Sequence, residues 1–236
     1  MKILAIGPMY NEGEKTLRTI RRFPPGIVDE IVIVDDASTD GAGQKVAEAG
    51  VTVLSHAKNS GPGTAIRTGI DYGLKKGYDI FVIFATNGKD DPQETPRVLR
   101  PVLEGGADMV QGSRYLPGGG WSHMPNYRVG GIQAYSFIFS LLAGGRRVTD
   151  ATNGFKAFRS SILKDPRINL WQDWLDGYPL EAYLFFQTLR LGYRVVEVPV
   201  TKTYPNSGTN YTKMRAWIDW WHAFKPMFYL TLRLKK

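Results

Sequence analysis

Cysteine is absent from the 236 residues. Disulfides and thiolate metal sites are therefore excluded, and the composition fits a reducing compartment such as the cytoplasm. Histidine is scarce. His56, His123 and His222 stand in no ligand spacing, which argues against a histidine-built zinc site. Long apolar runs are also missing. The best candidate, "AYSFIFSLLAGG", is short of the roughly 18 residues of a spanning helix and ends in glycines. The Met1 end carries no charged, apolar and cleavable segments in succession, so no secretory signal is expected. No internal repeat, low-complexity tract, helix-turn-helix or RNA-recognition signature is found. The formal net charge of +8 is spread along the chain. With nucleic acid set aside, that charge points to phosphate-bearing substrates or an anionic lipid surface.

What is present is a core. Hydrophobic residues make up 43% of the chain, enough for one large α/β domain. The runs "MKILAIGP", "VDEIVIVDDAS", "VTVLSHA", "YDIFVIFA" and "ADMVQGSRY" read as strands. Between them, "EGEKTLRTIRRF", "TDGAGQKVAEAG", "GPGTAIRTGIDYGLKKG" and "PQETPRVLRPVLEGG" read as helices. This alternation predicts an α/β fold, a mostly parallel central sheet flanked by helices. The second half is less regular: two helical stretches, "NYRVGGIQAYSFIFSLLAG" and "GYPLEAYLFFQTLRLG", and two strands, in "ATNGFKAFRSSIL" and "YRVVEVPVTKTY". The expected division is a domain over residues 1–213 and an amphipathic helical tail over 214–236, interrupted by Pro226.

Polar groups close five successive strands: Tyr10-Asn11-Glu12, Asp35-Asp36, Asn59, Asn87 to Asp91, and Ser113-Arg114. Ligands of open α/β sheets bind beyond the carboxyl ends of the strands, so a site is expected along this edge. Asp36 fits a ribose or base contact, and fits equally a turn in "DDASTDG". "KNSGPGTAIRTG" lacks a P-loop lysine and does not follow the first strand, so its glycines read as a close-packing face. Arg114, Arg128, Lys156, Lys202 and Lys213 are the notable cations. Glu181 and Asp150 are the candidate bases, each also readable as a surface or turn carboxylate.

The segments "PMYNE", "IVIVDDASTDG", "NSGPGTAIRTG", "DDPQE", "GSRYLPGG", "TNGFKAFR" and "LEAYLFFQTLRLGYRVVEVPV" together resemble family 2 glycosyltransferases of GT-A fold, in the dolichyl- or polyprenyl-phosphate mannose synthase-like branch. The resemblance implies transfer of a hexose from a nucleoside diphosphate sugar to a polyprenyl phosphate or lipid-linked glycan in cell-surface polysaccharide synthesis. It implies that Pro8, Tyr10, Glu12, Val34, Asp36 and Arg114 hold the nucleotide. Arg128 and Lys213 would meet the acceptor or its phosphate, Lys213 on a closing loop. It also implies Mg²⁺ or Mn²⁺, here through Asn87 and Asp91, with Asp90, Asp91, Lys89, Glu181 and Asp150 as the catalytic set.

Two departures bear on this. The family's Asp-x-Asp pair falls on Ala85-Thr86-Asn87, and "YPNSGTNYTK" lacks an arginine before its lysine. The first departure raises two alternatives: Lys89 takes over part of the metal's charge, or the protein is a catalytically silent sugar-nucleotide binder or scaffold. In the tail, Trp217, Trp220, Trp221, Phe224, Phe228 and Tyr229 lie among Lys225, Arg233, Lys235 and Lys236. They suit the inner face of a membrane, and equally suit packing on the domain.

Overall fold

The computed structural model describes residues 1–204 and 218–235, with backbone alone over 218–223. β1 (Ile3–Met9) leads to α1 (Gly13–Ile20), β2 (Glu30–Asp35) to α2 (Ala42–Glu48), β3 (Thr52–Ser55) to α3 (Pro62–Lys75), and β4 (Ile80–Ile83) to α4 (Thr95–Leu103). β5 (Met109–Ser113), β6 (Gly120–Ser122), α5 (Asn126–Leu142), β7 (Lys156–Arg159), α6 (Pro179–Arg190), β8 (Val195–Pro199), β9 (Thr201–Thr203) and α7 (Ile218–Thr231) follow. Seven strands form one sheet in the order β3-β2-β1-β4-β7-β5-β8. Its pairings are parallel except at β7, which runs antiparallel to both β4 and β5.

The continuous apolar strands are explained by burial on both faces. Successive side chains of a strand point to opposite faces. Leu4, Ile6, Phe81 and Ile83 thus join one apolar layer with residues of α3, α5 and α6. Ile3, Ala5, Ile80 and Val82 join another with residues of α2 and α4. Each of these side chains larger than alanine contributes about 1.5–3 kcal/mol when taken out of water. The glycines of α3 form the close-packing face read from the sequence. A Cβ at Gly69 would stand 2.4 Å from Ile6 Cγ2, and one at Gly73 would stand 2.3 Å from Phe81 Cε1. Only bare backbone lets α3 lie this near β1 and β4.

The sequence reads "YRVVEVPVTKTY" as one strand, but the structure divides it. β8 pairs with β5 as far as Pro199, whose nitrogen carries no hydrogen for the ladder. β9 then leaves the sheet and pairs in parallel with β6. The tail packs on the body of the protein. Met227 and Leu230 are buried in the α3–α5–α6 layer. The Tyr229 ring stands edge-on to Trp174 at 5.3 Å, and Arg190 Nη1 donates to the Leu230 carbonyl at 2.6 Å. Trp217, Lys213, Lys236 and the side chains of Trp220 and Trp221 lie outside the described residues.

Candidate active site

β1, β2 and β4 end side by side, and their carboxyl ends open into a cleft of about 400 Å³. Beyond β1 lie Pro8, Tyr10 and Glu12, beyond β2 lies Asp36, and beyond β4 lie Ala85 and Asn87. Gly61, Ala65 and Ile66 bring the start of α3 over one side, and Tyr178 and Glu181 bring the start of α6 over another. This is the switch point of the sheet, where the chain leaves β1 toward β2 on one side and returns at β4 on the other.

Asp36 is buried and largely committed. Its Oδ1 accepts from the Ser60 backbone N–H at 2.8 Å and lies 2.7 Å from His56 Nδ1. Its Oδ2 accepts from Gly61 N–H at 2.8 Å. A carboxylate has about four acceptor positions, so room for one more donor remains on Oδ2. Asp36 thereby fixes the turn that starts α3 while facing the cleft. Asp35 accepts from Ser38 N–H at 3.0 Å and shapes the following turn. Val34, expected at the nucleotide, is fully buried within the core layer below and does not line the cleft.

The loop after β4 sorts its side chains differently from the sequence expectation. Thr86 donates to the Pro8 carbonyl at 2.6 Å, and Ala85, Thr86 and Asn87 all line the cleft. Asp91, expected at the metal, does not line the cleft. It accepts from Gln93 N–H at 3.0 Å as the cap of a short 3₁₀ turn, and pairs with Arg22 at 2.8 Å. Asp90 is buried; its Oδ2 accepts from Ala85 N–H at 2.8 Å. Its Oδ1 lies 2.8 Å from Lys202 Nζ, at an angle that makes the contact an ion pair and not a hydrogen bond. Asn87 Oδ1 accepts from Lys89 N–H at 3.3 Å. Of the two ligands expected for Mg²⁺ or Mn²⁺, only the neutral amide of Asn87 faces the cleft, while the carboxylates that line it are Glu12, Asp36 and Glu181. Among the described residues no three acidic or histidine side chains converge on a point. These residues do not fit a divalent ion held by the protein.

Arg114 and Asp150 form a closed clamp. Arg114 Nε donates to Asp150 Oδ2 at 2.6 Å, and Nη2 donates to Asp150 Oδ1 at 2.7 Å. Nη2 also reaches Thr152 Oγ1 at 2.7 Å, and Nη1 donates to the Tyr204 hydroxyl and to Met124 Sδ. Both residues are buried. Burial alone would lower the Arg114 pKa, but the hydrogen bonds and charge of Asp150 raise it above its ordinary value. Glu197 fixes the other side of the clamp, accepting from the N–H groups of Thr149 at 2.8 Å and Asp150 at 3.0 Å. The guanidinium donors are spent on the protein, and Asp150 is bound in an ion pair. Neither is placed to meet a phosphate or take a proton, the roles expected of them.

Glu181 is the base candidate that does face the cleft. Its Oε1 stands 3.4 Å from the buried Lys156 ammonium. Burial lowers the Lys156 pKa, and the Glu181 charge works against that. Lys89 is half-buried on the β4 loop. Burial, with the nearby charges of Lys202 and Arg128, lowers its pKa to about 8. The Tyr204 ring carries Lys89 at 5.8 Å and Arg128 at 5.6 Å from its centroid. Sequence reading missed Tyr204, Tyr178, His56 and Asn153 as parts of this assembly. His56 and Tyr204 directly follow β3 and β9 and Asn153 lies in "TNGFKAFR", but nothing in those positions showed which side chains they would meet.

Comparison with known proteins gives consistent matches. The family described as "Glycosyl transferase family 2" matches residues 5–165. The undecaprenyl-phosphate mannosyltransferase of Micrococcus luteus is 35% identical over 207 residues, covering 85% of this chain and 83% of that protein. The polyprenol monophosphomannose synthase of Mycolicibacterium smegmatis is 32% identical over 209 residues, covering 86% and 77%. Among solved structures, glucosyl-3-phosphoglycerate synthase from Mycobacterium tuberculosis, in complex with Mn²⁺, UDP and glucosyl-3-phosphoglycerate, is similar with a TM-score of 0.70. That match covers 100% of this chain and 81% of that one at 19% identity, a likeness of fold.

Proposed function

Because the chain belongs to glycosyl transferase family 2, we propose that this glycosyltransferase moves a hexose from a nucleoside diphosphate sugar onto a polyprenyl phosphate. The observation that carries the reading is the cleft itself. It has the GT-A position, at the carboxyl ends of β1, β2 and β4, and it is lined by Pro8, Tyr10, Glu12 and Asp36. In this reading the nucleoside lies against Pro8, Tyr10 and Asp36, and the diphosphate reaches Asn87 and the β4 loop. The sugar then projects toward Glu181 and Tyr178 at the start of α6. The relatives act, by their names, on undecaprenyl phosphate and polyprenol, and an acceptor of that class supports attachment to the inner face of a membrane.

A lipid phosphate is already ionised near neutral pH and needs alignment more than a base. A lipid-linked glycan is the second acceptor reading, favoured by one observation: Glu181 faces the cleft and could take a hydroxyl proton. Mn²⁺ accompanies UDP in the solved neighbour. Here such an ion would have to be carried by the diphosphate, with Asn87 as its protein ligand.

The test is calorimetry with UDP-, GDP- and dTDP-sugars, followed by transfer of labelled sugar to undecaprenyl phosphate. Binding of one donor, with label recovered in the lipid phase, is expected. Failure to bind any donor with Mn²⁺ present would sink the proposal and leave the silent scaffold reading.

A further inference from the structure

Two ion pairs of the buried interior differ in kind. Arg114 and Asp150 are both buried and joined by hydrogen bonds at 2.6 and 2.7 Å. Lys156 is also buried, but its partner Glu181 is 25% exposed and lines the cleft. Glu181 Oε1 stands 3.4 Å from the Lys156 ammonium and accepts no hydrogen bond among the described residues. Charge alone holds this pair, and one side of it opens on the cleft.

Strand direction sets up the arrangement. β7 runs antiparallel to β4, so its first residue, Lys156, stands beside Ile83, the last residue of β4 and part of the cleft lining. Glu181 comes over it from the first turn of α6. Gly154 makes room for the carboxylate: a Cβ there would stand 3.1 Å from Oε1 and 3.7 Å from Oε2. A carboxylate in a first helical turn is favoured by the helix dipole. That explains Glu181 without explaining the buried lysine behind it, since burying an ammonium is costly. The chemistry of the cleft supplies a reason. A bare carboxylate there would repel the diphosphate of a sugar nucleotide, and Lys156 offsets that charge from behind. A carboxylate only accepts hydrogen bonds, at about four positions. The uncharged donors that such a ligand brings to this end of the cleft are the hydroxyls of its sugar.

We propose that Glu181 grips a hydroxyl of the donor sugar as a hydrogen-bond acceptor, and that Lys156 is the positioning residue that holds its carboxylate in place. The inference rests on the donor-site reading above, with a phosphate as the acceptor. A phosphate acceptor brings no proton to remove, so the use of the Glu181 carboxylate is in binding. It selects as well as binds. A site built to bond a hydroxyl rejects the analogue that lacks it, because the polar group of the site is then left unpaired.

The experiment is calorimetric titration of the full chain, with Mn²⁺ present, against UDP and UDP-glucose, GDP and GDP-mannose, and dTDP and dTDP-glucose. Melting temperature and transfer to undecaprenyl phosphate are recorded for every variant. Glu181→Ala should weaken the sugar nucleotide by about ten- to a hundredfold, the value of a charged hydrogen bond. Affinity for the parent nucleoside diphosphate should not change. Lys156→Met should weaken the sugar nucleotide several-fold, again without touching the nucleoside diphosphate. Glu181→Ala strands the buried ammonium and lowers stability. The double variant strands no charge, so it carries the test if the single one does not fold. Its loss should equal that of Glu181→Ala, the sign of two residues acting as one. Equal weakening of nucleotide and sugar nucleotide overturns the inference and leaves the donor-site reading intact. So does unchanged binding of both with reduced transfer, which makes Glu181 a base or an acceptor contact. So does a Lys156→Met variant that binds as wild type. Binding of none of the six ligands by wild type overturns the donor-site reading and the inference with it.

Discussion

The carboxylates near the cleft differ in what their removal exposes. Asp91 is partly exposed, and its loss removes a cap and a surface pair with Arg22. Such a cap contributes about 0.5–2 kcal/mol. Asp90 is buried, and its loss leaves the buried Lys202 ammonium without its counter-charge. Breaking a buried pair from one side costs about 3–5 kcal/mol. Asp90→Ala is therefore expected to lower stability more than Asp91→Ala, read as denaturant midpoints at an unchanged slope. Equal midpoints would mean that Lys202 finds another partner. The same arithmetic applies to Arg114→Ala, which strands Asp150 at full burial. A loss of about 3–5 kcal/mol is expected, and Arg114→Lys should not restore it, because one ammonium cannot reproduce the guanidinium fork. A variant of normal stability with raised acceptor KM would instead mark Arg114 as a substrate contact.

At the scale of elements, α3 is held to the sheet by its glycines, and it also roofs the cleft. Gly69→Ala improves helix propensity by about 1 kcal/mol. Against that, its Cβ would sit 2.4 Å from the buried Ile6 side chain, and overpacking costs about 1–3 kcal/mol. Net destabilisation is expected. Because Gly61, Ala65 and Ile66 of the same segment line the cleft, nucleotide affinity should fall as well. Denaturation and calorimetry on one preparation check both, and a stabilised variant with normal affinity would refute the argument. This face was legible in "GPGTAIRTG" because close approach needs a bare backbone wherever it occurs. The parallel sheet was legible for a similar reason, since burial on both faces writes uninterrupted apolar runs. The strand ends were legible through their polar residues, and Tyr10, Glu12, Asp36 and Asn87 do line the cleft. The division of β8 from β9 was not, because Val200 continues the apolar pattern across the break. Nor was the commitment of Arg114, whose partners Asp150 and Tyr204 lie 36 and 90 residues away.

At the scale of the molecule, apolar side chains left in solvent gather on the last helices. On α5, Tyr127 is 79% exposed, Phe137 65% and Leu141 60%. On and after α7, Phe228, Leu232 and Leu234 are exposed as well. The two helices meet where Tyr135 stands edge-on to Phe224 at 4.9 Å. Arg146 and Arg147 follow α5, Arg233 and Lys235 follow α7, and the whole chain carries a net charge of +8. No described helix is long and apolar enough to cross a membrane. Exposed rings and aliphatics beside cations fit the headgroup layer, where each basic residue near an anionic surface contributes about 1 kcal/mol. The prediction is salt-sensitive binding to vesicles containing anionic lipid, measured by sedimentation. Cutting the chain before Trp217 is a poor test, since Met227 and Leu230 would leave the core and the remainder would lose stability. Phe137→Ser with Leu141→Ser touches exposed positions instead, and should reduce sedimentation several-fold while leaving the melting temperature unchanged. Raising salt from about 0.05 to 0.5 M should also release wild type, because the Debye length falls below the spacing of surface charges. A folded wild-type protein that stays in the supernatant with anionic vesicles at low salt would remove the membrane from the reading. The lipid acceptor would then have to reach the cleft by another route.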